Sequence, residues 1–301
     1  MLPFARISII GLGLIGSSVA RAVQANMPGV RITGYDADAD VRDRARAIKL
    51  CDDIADTAGT SVIDAELVLF CVPVGAMEQV ARELAADLPP DAIVSDVGSC
   101  KQSVAEALSR ALPGATIIPA HPVAGTEKSG PDAGFATLFK GRWCILTPPD
   151  DAPEAAVAAL SAFWQRLGAD VEIMDARHHD RVLAVTSHLP HLIAYTIVGT
   201  ADDLGEVTQS EVIKYSAGGF RDFTRIAASD PVMWRDVFLN NKDAVLEMLQ
   251  RFSEDLTALQ RAIRYGKGDE LESLFARTRA IRRSIVEQGQ DDDAPDFGRK
   301  H

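Results

Sequence analysis

The sequence predicts a parallel α/β domain followed by an all-helical domain, and three observations support this. The first half alternates short apolar runs with amphipathic helical stretches, and the runs are apolar at both strand faces. Such runs are typical of strands that helices cover on both sides of a parallel sheet. From about Asp175 onward the strand pattern stops, and apolar residues keep helical spacing to roughly residue 288. At 301 residues the chain also exceeds the size that one hydrophobic core usually supports.

The predicted elements of the first half follow in strict alternation. The strands are RISIIG, RITGYD, ELVLFCVP, AIVSDVG, TIIPAHP and WCILTPP. Helical patterns such as SSVARAVQA, AMEQVARELAADL and KQSVAEALSRAL lie between them. Within 153–168 the residues Ala156, Leu160, Phe163 and Leu167 keep helical spacing, so this segment is predicted to be a helix. VEIMD after it is predicted to be the last strand.

The second half contains one run in which apolar residues recur every three or four positions. It predicts one long helix with a continuous apolar seam. Its members are Trp234, Phe238, Asn241, Val245, Leu249, Phe252, Leu256, Leu259 and Ile263. The segment YGKGD (265–269) ends this helix, and another is predicted to run to Gln288. The seam could pack within its own domain or against a second copy; because the second half is small, we favour a homodimer.

The charge balance and the cysteines limit the classes of function. With 31 basic and 43 acidic residues the formal net charge is −12, and the sequence has no basic block. This argues against nucleic acid or an anionic membrane surface as the main partner. The cysteines have no spacing typical of zinc or redox sites, which favours a reducing, cytoplasmic compartment. They are Cys51, Cys71, Cys100 and Cys144.

Two apolar segments could in principle be a signal peptide or a membrane span. The N-terminus MLPFARISII lacks both the charged and the cleavage features of a signal peptide. Residues 182–201 are long enough to cross a membrane, but two histidines and a proline interrupt them. We therefore expect a buried helix there rather than a membrane span.

The glycine motif GLGLIG lies directly after the first predicted strand and opens a helix. In a Rossmann-type fold Gly11 permits the tight turn, Gly13 lets the main chain approach a pyrophosphate, and Gly16 lets the helix pack close to the strand. Leu14 and Ile15 begin the helix, whose free amides and dipole favour phosphate. A glycine-rich turn without a ligand is the alternative, but the strand–turn–helix context favours dinucleotide binding.

The second strand ends at Asp36, which is placed to hold the ribose hydroxyls of the adenosine. A carboxylate there repels a 2′-phosphate, and residues 37–40 contain no arginine, so NAD is predicted over NADP. Val72 and Pro73, after the strand ELVLF, are expected to pass beside the cofactor, although an ordinary strand exit would look the same.

Two later strands end in polar groups, and parallel strands present these ends at one edge of the sheet. SDVGSCK brings Ser99 and Lys101, while PAHPVAGTEKSG brings His121, Thr126 and Glu127. A dehydrogenase acting on an alcohol carbon needs a base for the hydroxyl proton, and histidine suits that role near neutral pH. His121 could instead be structural, and Ser99 could cap the helix that follows it.

The motifs GLGLIGSS, DVGSCK, HPVAGTEKSGP, SHLPH and FRDFTRIAASDPVMW occur in this order. With them the chain resembles, over nearly its whole length, the prephenate and arogenate dehydrogenase family of tyrosine biosynthesis. The resemblance implies an NAD-binding Rossmann domain and an all-helical substrate and dimerisation domain. The sequence pattern assigns these to residues 1–174 and 175–290, and predicts a polar tail in 291–301. It also implies NAD-dependent oxidative decarboxylation of prephenate, of arogenate or of both, and we expect dual specificity.

The resemblance also implies roles for single residues. His121 is similar to the histidine that accepts the hydrogen bond of the ring hydroxyl, and Ser99 to the serine beside it. Arg225 is similar to the arginine that binds a substrate carboxylate. The remaining substrate-side residues that the resemblance suggests are His191, His188, Glu127, Thr126 and Trp234.

Several alternatives remain open at this point. Another Rossmann-plus-helical dehydrogenase or an imine reductase acting on a different small carboxylate would share the fold, and a non-catalytic dinucleotide sensor would share the glycine motif. His188 and His191 could bind a metal, but Pro190 lies between them and no further ligand is near in the sequence, so no metal is predicted. RHHD (177–180) is expected to be a solvated domain junction.

Overall fold

The computed structural model describes residues 2–126, 128–203, 218–285 and 287. Its centre is a parallel sheet of six strands in the order β3-β2-β1-β4-β5-β6, which is the order of a dinucleotide-binding fold. The predicted fold class is therefore confirmed. The strands are β1 (Arg6–Ile10), β2 (Arg31–Tyr35), β3 (Asp53–Ile54), β4 (Leu67–Phe70), β5 (Ile93–Asp96) and β6 (Thr116–Ile117).

Alternate residues of the central strands face two separate apolar clusters. Ile9 and Leu69 belong to one cluster, and Ile10 and Phe70 to the other, and all four side chains are fully buried. Strands that are apolar on both faces therefore have the environment that the sequence predicts. The helices between them are α1 (Leu14–Asn26), α2 (Ala39–Ala47), α3 (Met77–Leu84) and α4 (Gln102–Ala111).

A second sheet of three strands follows, and it differs from the prediction. It contains β7 (Ala120–Pro122), β8 (Trp143–Leu146) and β9 (Asp170–Ile173), with α5 (Glu154–Arg166) between the last two. The run TIIPAHP is not one strand, because β6 pairs parallel with β5 whereas β7 pairs antiparallel with β8. Pro119, at the junction, has no N–H to donate to a ladder. Its carbonyl instead accepts the N–H of Thr147 at 2.9 Å, beside β8.

After β9 the described residues form helices only, beginning with α6 (Ala176–Leu183) and α7 (Leu189–Asp203). A π-helical stretch, Ala184–His188, joins them. The change from α-helix to the wider π-helix has a local cause. Pro190 has no N–H to donate to the carbonyl of Thr186, and its ring would clash with that carbonyl in an α-helix.

Among the described residues one helix, Ala176–Asp203, is long and apolar enough to cross a membrane by length and composition alone. Such a helix is weak evidence for a span, because the core helices of soluble proteins can have the same length and composition. In this chain 28% of its most apolar window is buried, and Ile197 and Val198 are exposed. The expectation of a buried helix therefore holds for only part of the segment.

The predicted single long helix is wrong, because two helices meet at Asn241. They are α9 (Pro231–Asn240) and α10 (Lys242–Arg264), preceded by α8 (Gly218–Thr224) and a 3₁₀ segment, Arg225–Ala228. Asn241 is buried, and its Nδ2 donates to the carbonyl of Asp180 at 2.8 Å. Steps of three and four residues continue through this break, so periodicity alone could not reveal it. The predicted break at 265–269 is confirmed, since α11 (Gly268–Ile285) begins there.

The chain divides into two compact units, Met1–Val245 and Leu246–His301. The predicted domain boundary at 174/175 is a different division and stays a prediction. In the second unit Leu256, Ile263 and Phe275 are exposed in the single chain. The predicted polar tail, 291–301, lies outside the described residues.

Candidate active site

The glycine loop after β1 is built by close main-chain approaches. Gly11 has φ of +98°, and its N–H donates to the carbonyl of Tyr35 at 2.7 Å. A β-carbon on Gly11 would lie 2.6 Å from the carbonyl oxygen of Cys71, and one on Gly16 would lie 1.9 Å from that of Gly11. Both positions therefore require glycine for the packing of the strand, the turn and the helix.

Gly13 differs from these two glycines. It is the N-cap of α1, and a β-carbon there would meet no atom within 4 Å. Leu14 and Ile15, the first residues of the helix, are partly exposed. The open space lies at a helix N-terminus, where free amides favour phosphate, so the loop has the shape that a dinucleotide pyrophosphate needs.

The carboxylate of Asp36 supports the same loop. Its Oδ2 accepts the N–H of Leu12 at 2.8 Å, and its Oδ1 accepts the N–H of Asp38 at 3.0 Å. Each oxygen keeps a further lone pair that can accept a ribose hydroxyl. Arg42, which sequence reasoning missed, folds back so that Nη1 donates to the carbonyls of Asp36 and Ala37 at 2.7 and 3.0 Å.

Val72 and Pro73 leave β4 beside the glycine loop. A β-carbon on Gly11 would come within 3.0 Å of Val72 Cγ1, so the two segments are in contact. Pro73 is exposed and precedes a 3₁₀ turn, Val74–Ala76. These residues therefore lie at the carboxyl edge of the sheet, where parallel α/β sheets bind ligands.

A buried ion pair fixes the strand that carries His121. Lys101 and Asp96 are both fully buried and form a salt bridge. Asp96 Oδ1 accepts the N–H of Ala120 at 3.2 Å, and Lys101 Nζ donates to the carbonyl of Ala120 at 2.7 Å. The pair therefore holds both main-chain groups of the residue immediately before His121.

His121 is 8% exposed and begins a chain of hydrogen bonds. Its Nδ1 lies 2.9 Å from Nε2 of His179, and Nδ1 of His179 lies 2.8 Å from Oδ1 of Asp180. Asp180 also accepts the N–H of Lys101 at 2.7 Å and that of Gln102 at 3.0 Å. The carboxylate thus joins α6 to the start of α4 and to the two histidines.

Burial keeps these histidines neutral at pH 7. It lowers the pKa of His121 well below 6.5, and electrostatic interactions with His179, Lys101 and His188 lower this pKa further. Burial also lowers the pKa of His179, although a hydrogen bond to Asp180 opposes the shift. Both rings are therefore able to accept a proton near neutral pH.

Ser99 is partly buried in the loop between β5 and α4. The alternative that it caps α4 is wrong, because that helix begins at Gln102 and the carboxylate of Asp180 accepts its first N–H groups. The adjacent Cys100 is buried against Trp234 and Val237, and burial raises the pKa of its thiol to about 12. This thiol is therefore unreactive at neutral pH.

His188 and Trp234 each bury a polar ring atom without a partner in the described part of the chain. These atoms are Nε2 of His188 and Nε1 of Trp234, and the two rings lie edge to face with centroids 6.0 Å apart. Nδ1 of His188 lies 3.1 Å from Nδ2 of Asn241. Burial lowers the pKa of His188 to about 4, so this ring is neutral. Unpaired buried polar atoms are costly, and they are expected where a ligand or a water completes the site.

His191 stacks on Trp234 with centroids 3.6 Å apart, and its Nδ1 donates to the carbonyl of Ser187 at 2.8 Å. Burial lowers its pKa, and the positive charge of Arg225 lowers it further. Arg225 itself is exposed on the 3₁₀ segment, which Tyr195 tethers by donating to the carbonyl of Ser229 at 2.8 Å.

Thr126 is exposed, and its Oγ1 accepts the N–H of Lys128 at 3.2 Å. It lies on the segment that leaves β7. Glu127, the other predicted substrate-side residue of this motif, lies outside the described residues.

Sequence reasoning missed His179 and Asp180. RHHD is not a solvated junction throughout, because Arg177 and His178 are exposed while His179 and Asp180 are buried. The one available signal is the spacing of His179 from the buried Leu183, which places both on the same face of α6. Within the described part of the chain, no three His, Cys, Asp or Glu residues converge as a metal site.

Two family models match the chain. The prephenate dehydrogenase nucleotide-binding domain matches residues 19–173, and the prephenate dehydrogenase dimerization domain matches residues 175–277. A cyclohexadienyl dehydrogenase from Zymomonas mobilis is 46% identical over 285 residues, which cover 95% of this chain and 97% of the relative.

Solved structures show the same similarity. The crystal structure of prephenate dehydrogenase from A. aeolicus in complex with hydroxyphenyl propionate and NAD+ has a TM-score of 0.86 at 32% identity, covering 95% of this chain and 98% of that one. Synechocystis arogenate dehydrogenase has a TM-score of 0.78 at 27% identity, covering 93% of this chain and 99% of that one.

We expect alanine at Gly13 and at Gly16 to have different effects. Gly16→Ala places a β-carbon 1.9 Å from a main-chain oxygen, so it lowers the melting temperature whether or not ligand is present. Gly13→Ala meets open space, so it leaves the melting temperature within a few degrees but weakens NADH binding at least tenfold.

Thermal unfolding and NADH fluorescence titration measure the two effects. Gly199→Ala, on an exposed helical position with no atom within 4 Å, serves as the control and keeps wild-type affinity. Unchanged NADH affinity in Gly13→Ala would show that this loop does not bind the pyrophosphate of the cofactor.

Proposed function

Since this chain belongs to the prephenate dehydrogenase family, we propose that it transfers a hydride from prephenate, arogenate or both to NAD+, with His121 as the base and Arg225 as the carboxylate ligand. It is a cyclohexadienyl dehydrogenase, an enzyme of tyrosine biosynthesis. Family membership therefore decides against the non-catalytic sensor and the imine reductase that the sequence left open.

The position and the protonation state of His121 carry this proposal. The ion pair of Asp96 and Lys101 binds Ala120 and so holds His121 of β7 beside the end of β5, which lies two strands from β1 and its glycine loop. A neutral imidazole at the carboxyl edge of the sheet, close to the nucleotide loop, is what removal of a hydroxyl proton requires.

The chemistry of the substrate class fits such a base. Prephenate and arogenate carry a ring carboxylate and, on the opposite ring carbon, a hydroxyl. NAD+, when bound, accepts the hydride from the carbinol carbon. His121 takes the hydroxyl proton as the carbonyl forms, and loss of carbon dioxide from the opposite carbon then moves an electron pair through the ring to the oxygen. The protonated His121 returns its proton to that oxygen, and the aromatic phenol makes the reaction effectively irreversible.

We assign the anionic substrate to the side of the site that carries Arg225. A guanidinium stays charged and binds a carboxylate with two parallel hydrogen bonds, which matters in a chain of net charge −12. His191, stacked on Trp234 near Arg225, and the unpaired Nε2 of His188 supply further polar contacts. Ser99 is assigned to the ring hydroxyl, and Thr126 and Glu127 are assigned to further contacts with the substrate.

We assign NAD+ rather than NADP+ as the hydride acceptor. The carboxylate of Asp36 lies against the glycine loop, where it favours ribose hydroxyls and repels a 2′-phosphate. The A. aeolicus relative was solved with NAD+. Arg42 is close enough to Asp36 to assist a 2′-phosphate, but it is already bonded to two main-chain carbonyls.

We further propose a homodimer formed through the helices after residue 175, in the cytoplasm. The match to a dimerization domain and the exposed apolar residues of α10 and α11 support the dimer. The scattered cysteines support a reducing compartment.

The test is NADH formation by the purified protein, with prephenate and arogenate supplied separately and each combined with NAD+ and with NADP+. We expect turnover of both substrates and a clear preference for NAD+. His121→Leu should keep NADH binding but lose turnover on the order of a hundredfold or more, because it cannot accept the proton.

The matched control is His178→Leu, since His178 is exposed on α6 and should keep wild-type turnover. Full turnover in His121→Leu would show that His121 is not the base. Failure of the wild-type protein with both substrates would contradict the substrate class.

The pH dependence follows from the lowered pKa of His121. A base must be unprotonated to act, and burial shifts the titration of this ring to the acid side of 6.5. We therefore expect kcat/KM to be constant from about pH 6.5 to 8 and to fall only below that range. Steady-state rates in buffers of constant ionic strength measure this, and an acid limb centred above pH 7 would contradict it.

Arg225→Lys tests the carboxylate ligand. Lysine keeps the charge but cannot form the paired hydrogen bonds, so we expect kcat/KM to fall about tenfold or more, mainly through KM. Arg225→Ala should lose more, and Arg277→Lys on the exposed surface of α11 should lose nothing. Equal KM in Arg225→Lys and the wild type would show that Arg225 does not bind the substrate carboxylate.

A further inference from the structure

The hydrogen-bond chain behind His121 has only one consistent arrangement of protons. Asp180 accepts two main-chain N–H groups, so its oxygens act as acceptors and Nδ1 of His179 must carry the proton between them. In neutral His179 the other nitrogen, Nε2, then has a lone pair. Nδ1 of His121 must therefore donate to it across 2.9 Å.

This arrangement leaves Nε2 of His121 as the acceptor. Within the described residues Nε2 of His121 makes no hydrogen bond. It is also not one of the fully buried nitrogen and oxygen atoms that lack a hydrogen-bond partner. His179 and Asp180 thus fix the tautomer of His121, and the lone pair of the ring lies on Nε2, the nitrogen that is not bonded to His179.

We propose that His179 and Asp180 are positioning residues that act through His121: they hold its ring with Nδ1 protonated and Nε2 free, and they take up the positive charge when Nε2 receives a proton. This inference rests on the proposed function, because it needs His121 as the base.

The proton transfer is balanced at each atom. The substrate O–H bond breaks and a bond from hydrogen to Nε2 of His121 forms. The proton on Nδ1 of His121 moves to Nε2 of His179, so the charge rests on an imidazolium beside the carboxylate of Asp180. The reverse shift returns a proton to the phenolate oxygen after carbon dioxide has left.

The charges that surround the two rings favour this direction. The groups that act on His121 are His179 and His188 in the helical segment and Lys101 in the loop before α4, and each lowers its pKa. His179 faces Lys101 as well, but Asp180 and Asp96 raise its pKa. A positive charge is therefore better accommodated on His179 than on His121.

Asp180→Asn tests the charge while keeping the shape. We expect kcat to fall on the order of a hundredfold, with KM for substrate and NAD+ within about threefold, because only a charged intermediate state loses stabilisation. The acid limb of kcat/KM should also move to lower pH. Loss of the negative charge lowers the apparent pKa of the histidine pair, so a lower pH is needed to protonate it.

His179→Gln and His179→Leu separate the relay from packing and leave the bonds of Asp180 to α4 in place. Glutamine can accept from Nδ1 of His121 but cannot take a proton, whereas leucine can do neither. We expect kcat to fall in the order wild type, glutamine, leucine, with NADH affinity unchanged. His178→Gln, one residue away on the exposed side of α6, is the matched control.

The outcomes distinguish the two levels of the proposal. Full turnover in His121→Leu overturns both the assignment of His121 as the base and the proposed role of His179 and Asp180. Loss of turnover in His121→Leu alone, with wild-type kcat and acid limb in His179→Gln and Asp180→Asn, overturns the relay and leaves the proposed function intact. Equal losses in His179→Gln and His179→Leu that track their melting temperatures would indicate a structural role only. His179→Gln decides the question if Asp180→Asn does not fold.

Discussion

The site depends on the buried ion pair of Asp96 and Lys101. Two charges removed from water cost several kcal/mol each in desolvation, and burial accordingly raises the pKa of Asp96 despite its partner. Such a pair contributes little net stability, but loss of one partner leaves a buried charge and costs about 3–5 kcal/mol. What the pair provides is position, because it holds the N–H and the carbonyl of Ala120, the first residue of β7, and so fixes the position of His121 next to it.

The same loop connects the sheet to the helices that complete the site. Its Cys100 packs on Trp234 and Val237, and its Lys101 N–H is held by Asp180 from α6. Asp180 in turn accepts Nδ2 of Asn241 at its carbonyl. The loop after β5 therefore contacts β7, α6 and α9, which carry His121, His179 and Trp234. These contacts explain why Lys101 is buried although loops are usually solvated.

The parts that sequence could predict are those fixed by neighbours in the chain. The glycine loop needs only a strand, a turn and a helix in succession, so Gly11, Gly13 and Gly16 reveal it directly. The central sheet follows in the same way from alternating elements. By contrast, the carboxylate of Asp180 accepts the N–H groups of Lys101 and Gln102, which precede it in the sequence by 79 and 78 positions. No local pattern separates it from a solvated charge, and the break at Asn241 has the same long-range origin.

The polarity of the site follows from which charges are neutralised. The buried cation Lys101 is paired, Asp180 is bonded to the start of α4, and the buried histidines are neutral, so the interior exerts little net attraction on an anion. In a chain of net charge −12, the proposed binding of a substrate carboxylate therefore relies on Arg225, which is exposed on its 3₁₀ segment. In the proposed mechanism the ring hydroxyl faces the uncharged nitrogen of His121. Arg225 is not among the groups that lower the pKa of His121, and a guanidinium beside that ring would lower its pKa still further.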